Sequence, residues 1–470
     1  MPLLEVKSLS FRFNGAHEDF LSGIYFHVNK GEIVAISGPS GCGKSTLLRC
    51  INGIYPHVNG GIVSGDILFK GKSIASMQPE RRSALIGTVF QDFEAQIIHM
   101  CVEDELAFGP ENMGMKREEI ALRVRDVAEA IGLDPAAATS SLSGGNKQRL
   151  CVGGILTMRP EMLLLDEPLS NIDRDGVARL INFLVSLKKK GHSILLVEHR
   201  LDIILPYVDR ALWMERGHIV ERMPALMPIP VSLRKGPSHA KAMVKVRDLS
   251  YGYTRNEDVF SGVSFDIGRG EMAVVLGKNG CGKSTLLKIL AGLLRPREGI
   301  IEIDGEDIRG KRPGFFRNRV GLVLQNPNHQ LFMDTVRNEV LLNCGDGRAV
   351  DELLESFSLA HLGDRHPYSL SEGEKRRTAL AAVLAARPSV LLLDEPTLGQ
   401  DRDSLIKMIG ALRRHSIKEG LTVLTVTHDE AAARALGDRV IMFYGGRAGE
   451  CNDDCLESYF GAHARSGLIA

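Results

Sequence analysis

The sequence predicts an α/β protein of two tandem domains, each built on a mainly parallel sheet. Three observations predict it. First, 470 residues are more than one ordinary hydrophobic core serves. Second, the chain is written twice. GPSGCGKSTLL at 38–48 returns as GKNGCGKSTLL at 277–287, MLLLDEP at 162–168 returns as VLLLDEP at 390–396, and LLVEH at 195–199 is echoed by LTVTH at 424–428. Third, EIVAISG, MLLLDE and SILLVEH in the first copy, and EMAVVLG, VLLLDE and LTVLTVTH in the second, are apolar runs that end in glycine or in functional side chains. Such runs, separated by helical patterns, fit strands buried on both faces of a parallel sheet.

Matched residues keep nearly constant offsets: Lys44 to Lys283 is 283 − 44 = 239, and Asp166 to Asp394 is 394 − 166 = 228. The repeat unit is therefore a whole domain. Residues 223–243, MPALMPIPVSLRKGPSHAKAM, carry four prolines and no helical periodicity, so they read as a linker with the boundary near residue 235. Domains are expected at 1–222 and 244–470, the second restarting with VKVRDLSYGY in echo of LEVKSLSFRF.

Composition narrows the function. The chain is 44% hydrophobic and 25% charged, as ordinary globular proteins are. Lys+Arg and Asp+Glu both count 58, so the net charge gives no electrostatic footprint for nucleic acid. The eight cysteines form no CxxC pair, and neither a zinc ribbon nor an iron–sulfur motif is signalled. The N-terminus lacks a signal-peptide pattern, and no apolar run approaches the roughly 18 residues that span a bilayer. A cytosolic chain with reduced thiols is expected, with any membrane role supplied through a partner.

The two glycine loops both fit G-x-x-x-x-G-K-[ST]. A strand before and a helix after is the context this phosphate loop needs. Backbone N–H groups of Gly38, Ser40, Gly41, Cys42, Gly43, Lys44, Ser45 and Thr46, and of Gly277, Asn279, Gly280, Cys281, Gly282, Lys283, Ser284 and Thr285, would converge on phosphate oxygens. Lys44 and Lys283 would reach the β- and γ-phosphates, and Ser45 and Ser284 would ligate Mg²⁺. Cys42 and Cys281 read as small spacers. Asp166 and Asp394 end apolar strands, where a carboxylate can hold Mg²⁺ through water. Glu167 and Glu395 follow them and can polarise an attacking water. His199 and His428 end a later strand in both copies, which points to a γ-phosphate contact.

Together these parts resemble the ATP-binding cassette (ABC) ATPases, over nearly the whole chain in two halves. The resemblance implies two P-loop NTPase domains, each with a mainly parallel sheet core, an antiparallel β subdomain and a helical signature subdomain. It implies that LSGGN at 142–146 and LSEGE at 370–374 are the signature motifs, with Ser143 and Gly145, and Ser371 and Gly373, as nucleotide contacts. Gln91 and Gln325 match the Q-loop glutamines that touch Mg²⁺ and the transmembrane partner, Asp173 and Asp401 fall in the D-loops, and Phe13 and Tyr253 match the aromatic that stacks on adenine. It implies ATP and Mg²⁺ as cofactors and a head-to-tail pseudo-dimer of the two halves. VFQDFEAQII followed by CVEDELAFGPENMGMKREEI, VLQNPNHQLF followed by DTVRNEV, and VEHRLD look like the ATPase subunits of energy-coupling factor (ECF) importers of vitamins and metal ions. That implies an integral membrane coupling subunit and a membrane substrate-binding subunit as partners, with this chain on the cytoplasmic face. Asp92, Glu94, Glu103, Asp104 and Glu105, with Asp334 and Glu339 in the second half, read as an acidic groove for the partner's arginine-bearing helices.

Other twin-cassette ATPases stay open, as a sugar-type importer or a soluble translation factor. The translation factors usually carry a long basic linker or an iron–sulfur cysteine cluster, whereas here the linker is residues 223–243 and the cysteines are scattered. The sugar importers usually have a degraded second phosphate loop, whereas GKNGCGKST is intact. LSEGE departs from its twin at Glu372. A carboxylate about 6 Å from a phosphate charge repels it by roughly 3 kcal/mol at an effective dielectric of 20, so Glu372 has to point away or its site is weak. Ser371 and Glu374 also fit a capping box, in which Glu374 competes with the γ-phosphate for the helix pole.

Overall fold

The computed structural model describes residues 2–170, 174–220, 241–254, 257–278 and 280–466. Asp173, Asn279 and most of the expected linker lie outside the described residues. Two compact units are formed, Met1–Leu226 and Met227–Ala470.

In the first unit a six-stranded sheet runs in the order His218–Val220, Arg210–Glu215, Ile33–Ser37, Ser193–Val197, Met162–Asp166, Ile86–Val89. All neighbours are parallel except the first pair. The second unit repeats the order with Arg447–Cys451, Arg439–Tyr444, Met272–Gly277, Thr422–Val426, Val390–Asp394, Val320–Val323. The apolar runs of the sequence are the central strands, and each is buried along its whole length. Leu, Ile and Val on both faces leave these strands no solvent side, as a doubly covered parallel sheet demands. Each unit adds a four-stranded antiparallel sheet, which in the first unit joins Leu4–Arg12 to Leu21–Val28 and Ile62–Phe69. Each also adds a helical layer, in the first unit Val102–Asn112, Arg117–Ile131 and Gly144–Leu156. The expected fold class is the one observed.

One close approach positions the site. A Cβ on Gly87 would lie 2.0 Å from Ile155 Cγ2, and one on Gly321 would lie 2.4 Å from Val383 Cγ1. These glycines let the helices Gly144–Leu156 and Glu372–Ala385 seat directly on the edge strands Ile86–Val89 and Val320–Val323. Those strands lead into Gln91 and Gln325.

The tail that the sequence left undecided is described as far as residue 466. Asp453–Ser466 is a helix, and its Leu456 and Phe460 are buried in the core of the second unit. Cys451 and Cys455 form a disulfide, which departs from the expectation of reduced thiols throughout. A spacing of four places one cysteine at a strand end and the other in the first turn of a helix. No CxxC rule anticipates that placement.

Candidate functional site

The helices Lys44–Ile51 and Lys283–Leu290 begin at Gly43 and Gly282, both at positive φ and with no side-chain cap. Their first N–H groups are therefore left for an external acceptor. Lys44 is 5% exposed, and its Nζ donates to Gly38 O at 2.9 Å and Pro39 O at 2.8 Å. Lys283 repeats this with Gly277 O at 2.7 Å and Lys278 O at 2.9 Å. Among the described residues neither ammonium has a carboxylate in ion-pair contact. A buried cation held by carbonyls and by the loop cysteine sulfur, Cys42 at 3.7 Å and Cys281 at 4.0 Å, at an uncapped helix pole, fits an incoming polyphosphate. Burial pushes the Cys42 thiol up, which suits a spacer and not a nucleophile.

Ser45 Oγ donates to Asp166 Oδ1 at 3.0 Å, and Ser284 Oγ to Asp394 Oδ1 at 3.0 Å. A hydroxyl and a strand-end carboxylate side by side form an oxygen donor set fit for Mg²⁺ and its waters. Burial, then the neighbouring Glu167 charge, pushes Asp166 up to about 6; burial raises Asp394 to about 6 as well. A folded carboxyl above its unfolded value binds the extra proton in the native state. Stability therefore falls as pH rises from about 4 to about 6, and above that Asp166 costs up to about 3 kcal/mol. Asp166→Asn is expected to raise the melting temperature of the nucleotide-free protein at pH 7.5 by several degrees, to leave it unchanged near pH 4, and to remove the stabilisation by Mg·ATP. Differential scanning fluorimetry at the two pH values checks this.

Glu167 and Glu395 both adopt φ 49°, a left-handed conformation that costs a β-carbon residue about 1–3 kcal/mol. Their N–H groups donate to Val197 O and Val426 O, which fixes the turn. Glu167 Oε1 meets His199 Nε2 at 2.8 Å, and its Oε2 accepts from Gln91 Nε2 at 2.7 Å. Glu395 Oε1 meets His428 Nδ1 at 2.9 Å, and its Oε2 accepts from the His428 N–H at 3.3 Å. The carboxylate–histidine pair is thus built twice, in two different ways.

Tyr253 Oη lies 3.0 Å from Thr285 Oγ1, so its exposed ring stands beside the second phosphate loop. Phe13 sits in an aromatic cluster with Phe11, Phe20 and Tyr55, half of it open to solvent. At the signatures, Ser143 Oγ accepts from the Asn146 N–H at 3.4 Å. Ser371 is in a full capping box: its N–H and its hydroxyl both donate to Glu374 Oε2 at 2.8 Å. The Glu372 carboxylate is drawn along the helix to Lys375 Nζ at 3.0 Å. Gly373 admits no β-carbon, which would lie 2.5 Å from Gly399 O.

Sequence reasoning missed three sets of residues. Gln96 and Gln330 each take a loop N–H, at Phe90 and Leu324, and brace the segment after Gln91 and Gln325; their equal spacing from those glutamines was the available signal. Gln148 donates to Pro168 O, while its counterpart Arg376 donates to Leu398 O and to Gln325 O. Glu198, where the second copy has Thr427, receives three backbone N–H groups. The acidic groove also needs correction. Glu105 and Glu339 are buried and accept the N–H groups of Ile98 and His99, and of Phe332 and Met333, so they are loop staples. Glu94 pairs with Lys147.

The ABC transporter family matches residues 21–170 and 260–398, one phosphate loop and one Asp-Glu strand end in each match. The chain belongs to the ABC transporter family. It is a twin-cassette ABC ATPase that binds ATP with Mg²⁺ and hydrolyses it. A relative in Methanosarcina mazei, provisionally named an ABC transporter ATP-binding protein, is 36% identical over 95% of this chain and 88% of its own length. A relative in Bacillus subtilis, provisionally named an HMP/thiamine import ATP-binding protein, is 34% identical over 94% of this chain and 90% of its own. The solved structure of an RNase-L inhibitor covers 97% of this chain and 92% of its own with a TM-score of 0.67. At 23% identity it shares the ABC fold alone.

Proposed function

We propose that this ABC ATPase is the energy-coupling subunit of an ECF-type importer, working on the cytoplasmic face of a membrane. Its partners would be an integral membrane coupling subunit and a membrane substrate-binding subunit, and its cargo a vitamin, a vitamin precursor or a transition-metal ion. Each unit is one cassette, with residues 223–243 as the linker. The observation that carries the reading is similarity, over 94% of this chain and 90% of the relative, to a protein provisionally named for HMP/thiamine import, joined to the Q-loop sequences of both halves.

In this reading the halves pair head to tail. One ATP lies between the Lys44 loop and the Ser371 signature, and the other between the Lys283 loop and the Ser143 signature. Ser45, Asp166 and Gln91, and Ser284, Asp394 and Gln325, would hold Mg²⁺, which supplies charge neutralisation at the phosphates. Phe13 and Tyr253 would stack on adenine. Glu167 and Glu395 take the proton of the attacking water. His199 and His428 orient those carboxylates and contact the γ-phosphate. After hydrolysis the halves reopen and move the surfaces beside Gln91 and Gln325.

Those surfaces suit a protein partner. Ile98, Met100 and Phe108 are exposed next to the first Q-loop segment, Met100 at 90%, and Phe332 is 68% exposed at the matching place in the second unit. No helix among the described residues is long and apolar enough to cross a membrane, so anchoring falls to such contacts. Exposed Asp92 and Glu103 rim the apolar patch and supply charge for partner arginines. The double variant Met100→Asp, Phe332→Asp is expected to cut retention of membrane partners from detergent extracts at least tenfold while ATP binding stays within about twofold. Undiminished retention contradicts the docking surface.

A further inference from the structure

The two carboxylate–histidine pairs differ in a way that one residue explains. At the first site the base is approached by the far ring nitrogen, His199 Nε2, at 2.8 Å. At the second it is approached by the near ring nitrogen, His428 Nδ1, at 2.9 Å, and by the backbone N–H of the same histidine at 3.3 Å. The difference begins one residue earlier. Glu198 is 3% exposed, and its Oε1 accepts the N–H groups of His199 at 2.8 Å and Arg200 at 3.1 Å. Its Oε2 accepts the N–H of Leu169 at 3.1 Å, two residues past Glu167. Thr427 stands in the same place in the second unit. Among the described residues its shorter side chain reaches the Asp429 N–H, at 3.2 Å, and the Thr397 hydroxyl, at 3.3 Å, and not the His428 N–H.

We propose that Glu198 is a positioning residue that sets which imidazole nitrogen faces the base at the first site, and so makes the two catalytic sites inequivalent. The inference rests on the reading of Glu167 as the base. The argument is geometric. Glu198 draws the His199 N–H away from Glu167, so the imidazole meets the carboxylate through its outer nitrogen. In the second unit the Thr427 hydroxyl takes the Asp429 N–H instead, and the His428 N–H turns to Glu395 and brings the inner nitrogen with it. The same capture leaves Glu167 Oε2 to Gln91 Nε2 at 2.7 Å. At the second site Glu395 Oε2 holds the histidine backbone, and among the described residues it receives no hydrogen bond from the Gln325 side chain. Glu198 thereby connects the base of the first site, and not of the second, to a Q-loop side chain. Its carboxylate also ties the His199 turn to the segment after Glu167, so the two move as one piece.

The test uses the full chain labelled with ¹⁵N-histidine and reads the imidazole nitrogens by long-range ¹⁵N–¹H correlation at pH 8, with His199→Gln and His428→Gln spectra for assignment. The wild type is expected to carry the donated proton on Nε2 of His199 and on Nδ1 of His428. Glu198→Thr is expected to move the His199 proton to Nδ1, leave His428 unchanged, and lower kcat three- to tenfold with KM for ATP within twofold. If Glu198→Thr does not fold, Glu198→Met keeps the volume, removes both acceptors, and must at least halve the Nε2–H population of His199. A folded variant with His199 still on Nε2 and kcat unaltered overturns the proposal. Glu167→Gln run alongside separates the two claims: unaltered turnover there defeats the base assignment, whatever the imidazoles show.

Discussion

Glu167→Gln is expected to lower ATP turnover by about 10²–10³-fold at the first site, the scale of a lost general base. The side chain is nearly buried beside Asp166, held by His199 on one oxygen and Gln91 on the other. Glutamine keeps the volume, can accept from one of those two donors, and cannot take a proton from water. Binding should survive, because a negative charge next to the γ-phosphate is removed. Nucleotide affinity within about threefold of wild type, together with single-turnover hydrolysis reduced at least a hundredfold at that site, is the expected pair of results. Glu395→Gln should do the same at the second site. A variant that hydrolyses within threefold of wild type at the affected site would show that Glu167 is not the base.

Gly38→Ala is expected to be the most destabilising single substitution of those considered. A Cβ at Gly38 would lie 1.9 Å from Met214 O, on the neighbouring strand Arg210–Glu215. Backbone meets backbone there, and neither strand can retreat without breaking the parallel ladder between Ile33–Ser37 and Arg210–Glu215. A cost of about 3–5 kcal/mol follows from a clash of this kind, or a fall of about 10 °C in the melting temperature of a unit this size. Gly277→Ala meets Phe443 O at 2.5 Å and should cost somewhat less. Gly280→Ala meets nothing within 4 Å and pays only for its φ of 81°, about 1–2 kcal/mol. Thermal unfolding of the three variants should follow that order. Equal losses at Gly38 and Gly280 would refute the clash.

The phosphate loops, the strand-end acids and the paired histidines were legible because each occupies a position that a backbone geometry dictates. Strand, glycine turn and helix leave a lysine and a serine one place each. The repeat made every such signal count twice. What escaped the sequence is decided by where a side chain turns. Glu105 and Glu339 sit in acidic runs that read as surface, yet the loops before their helices have N–H groups in need of acceptors, and both carboxylates turn inward to supply them. Glu372 was legible as a charge that either points away from a bound nucleotide or weakens its site; its ion pair with Lys375 was not legible. Glu198 was visible as the difference between LLVEH and LTVTH. Its consequence needs the distances from two adjacent backbone N–H groups and from a third across the turn. The Cys451–Cys455 bond and the packing of Leu456 and Phe460 from the tail helix were out of reach, since neither spacing nor composition shows which end of a chain packs back on its core.

The central claim is that this ABC ATPase drives a membrane importer. The measurement that tests it most directly is extraction of the full chain from its native membranes in mild detergent, with mass spectrometry of what copurifies. The account predicts two integral membrane proteins in fixed proportion to the chain, the smaller of which binds the cargo. Ribosomes, or no membrane protein at all, would contradict it.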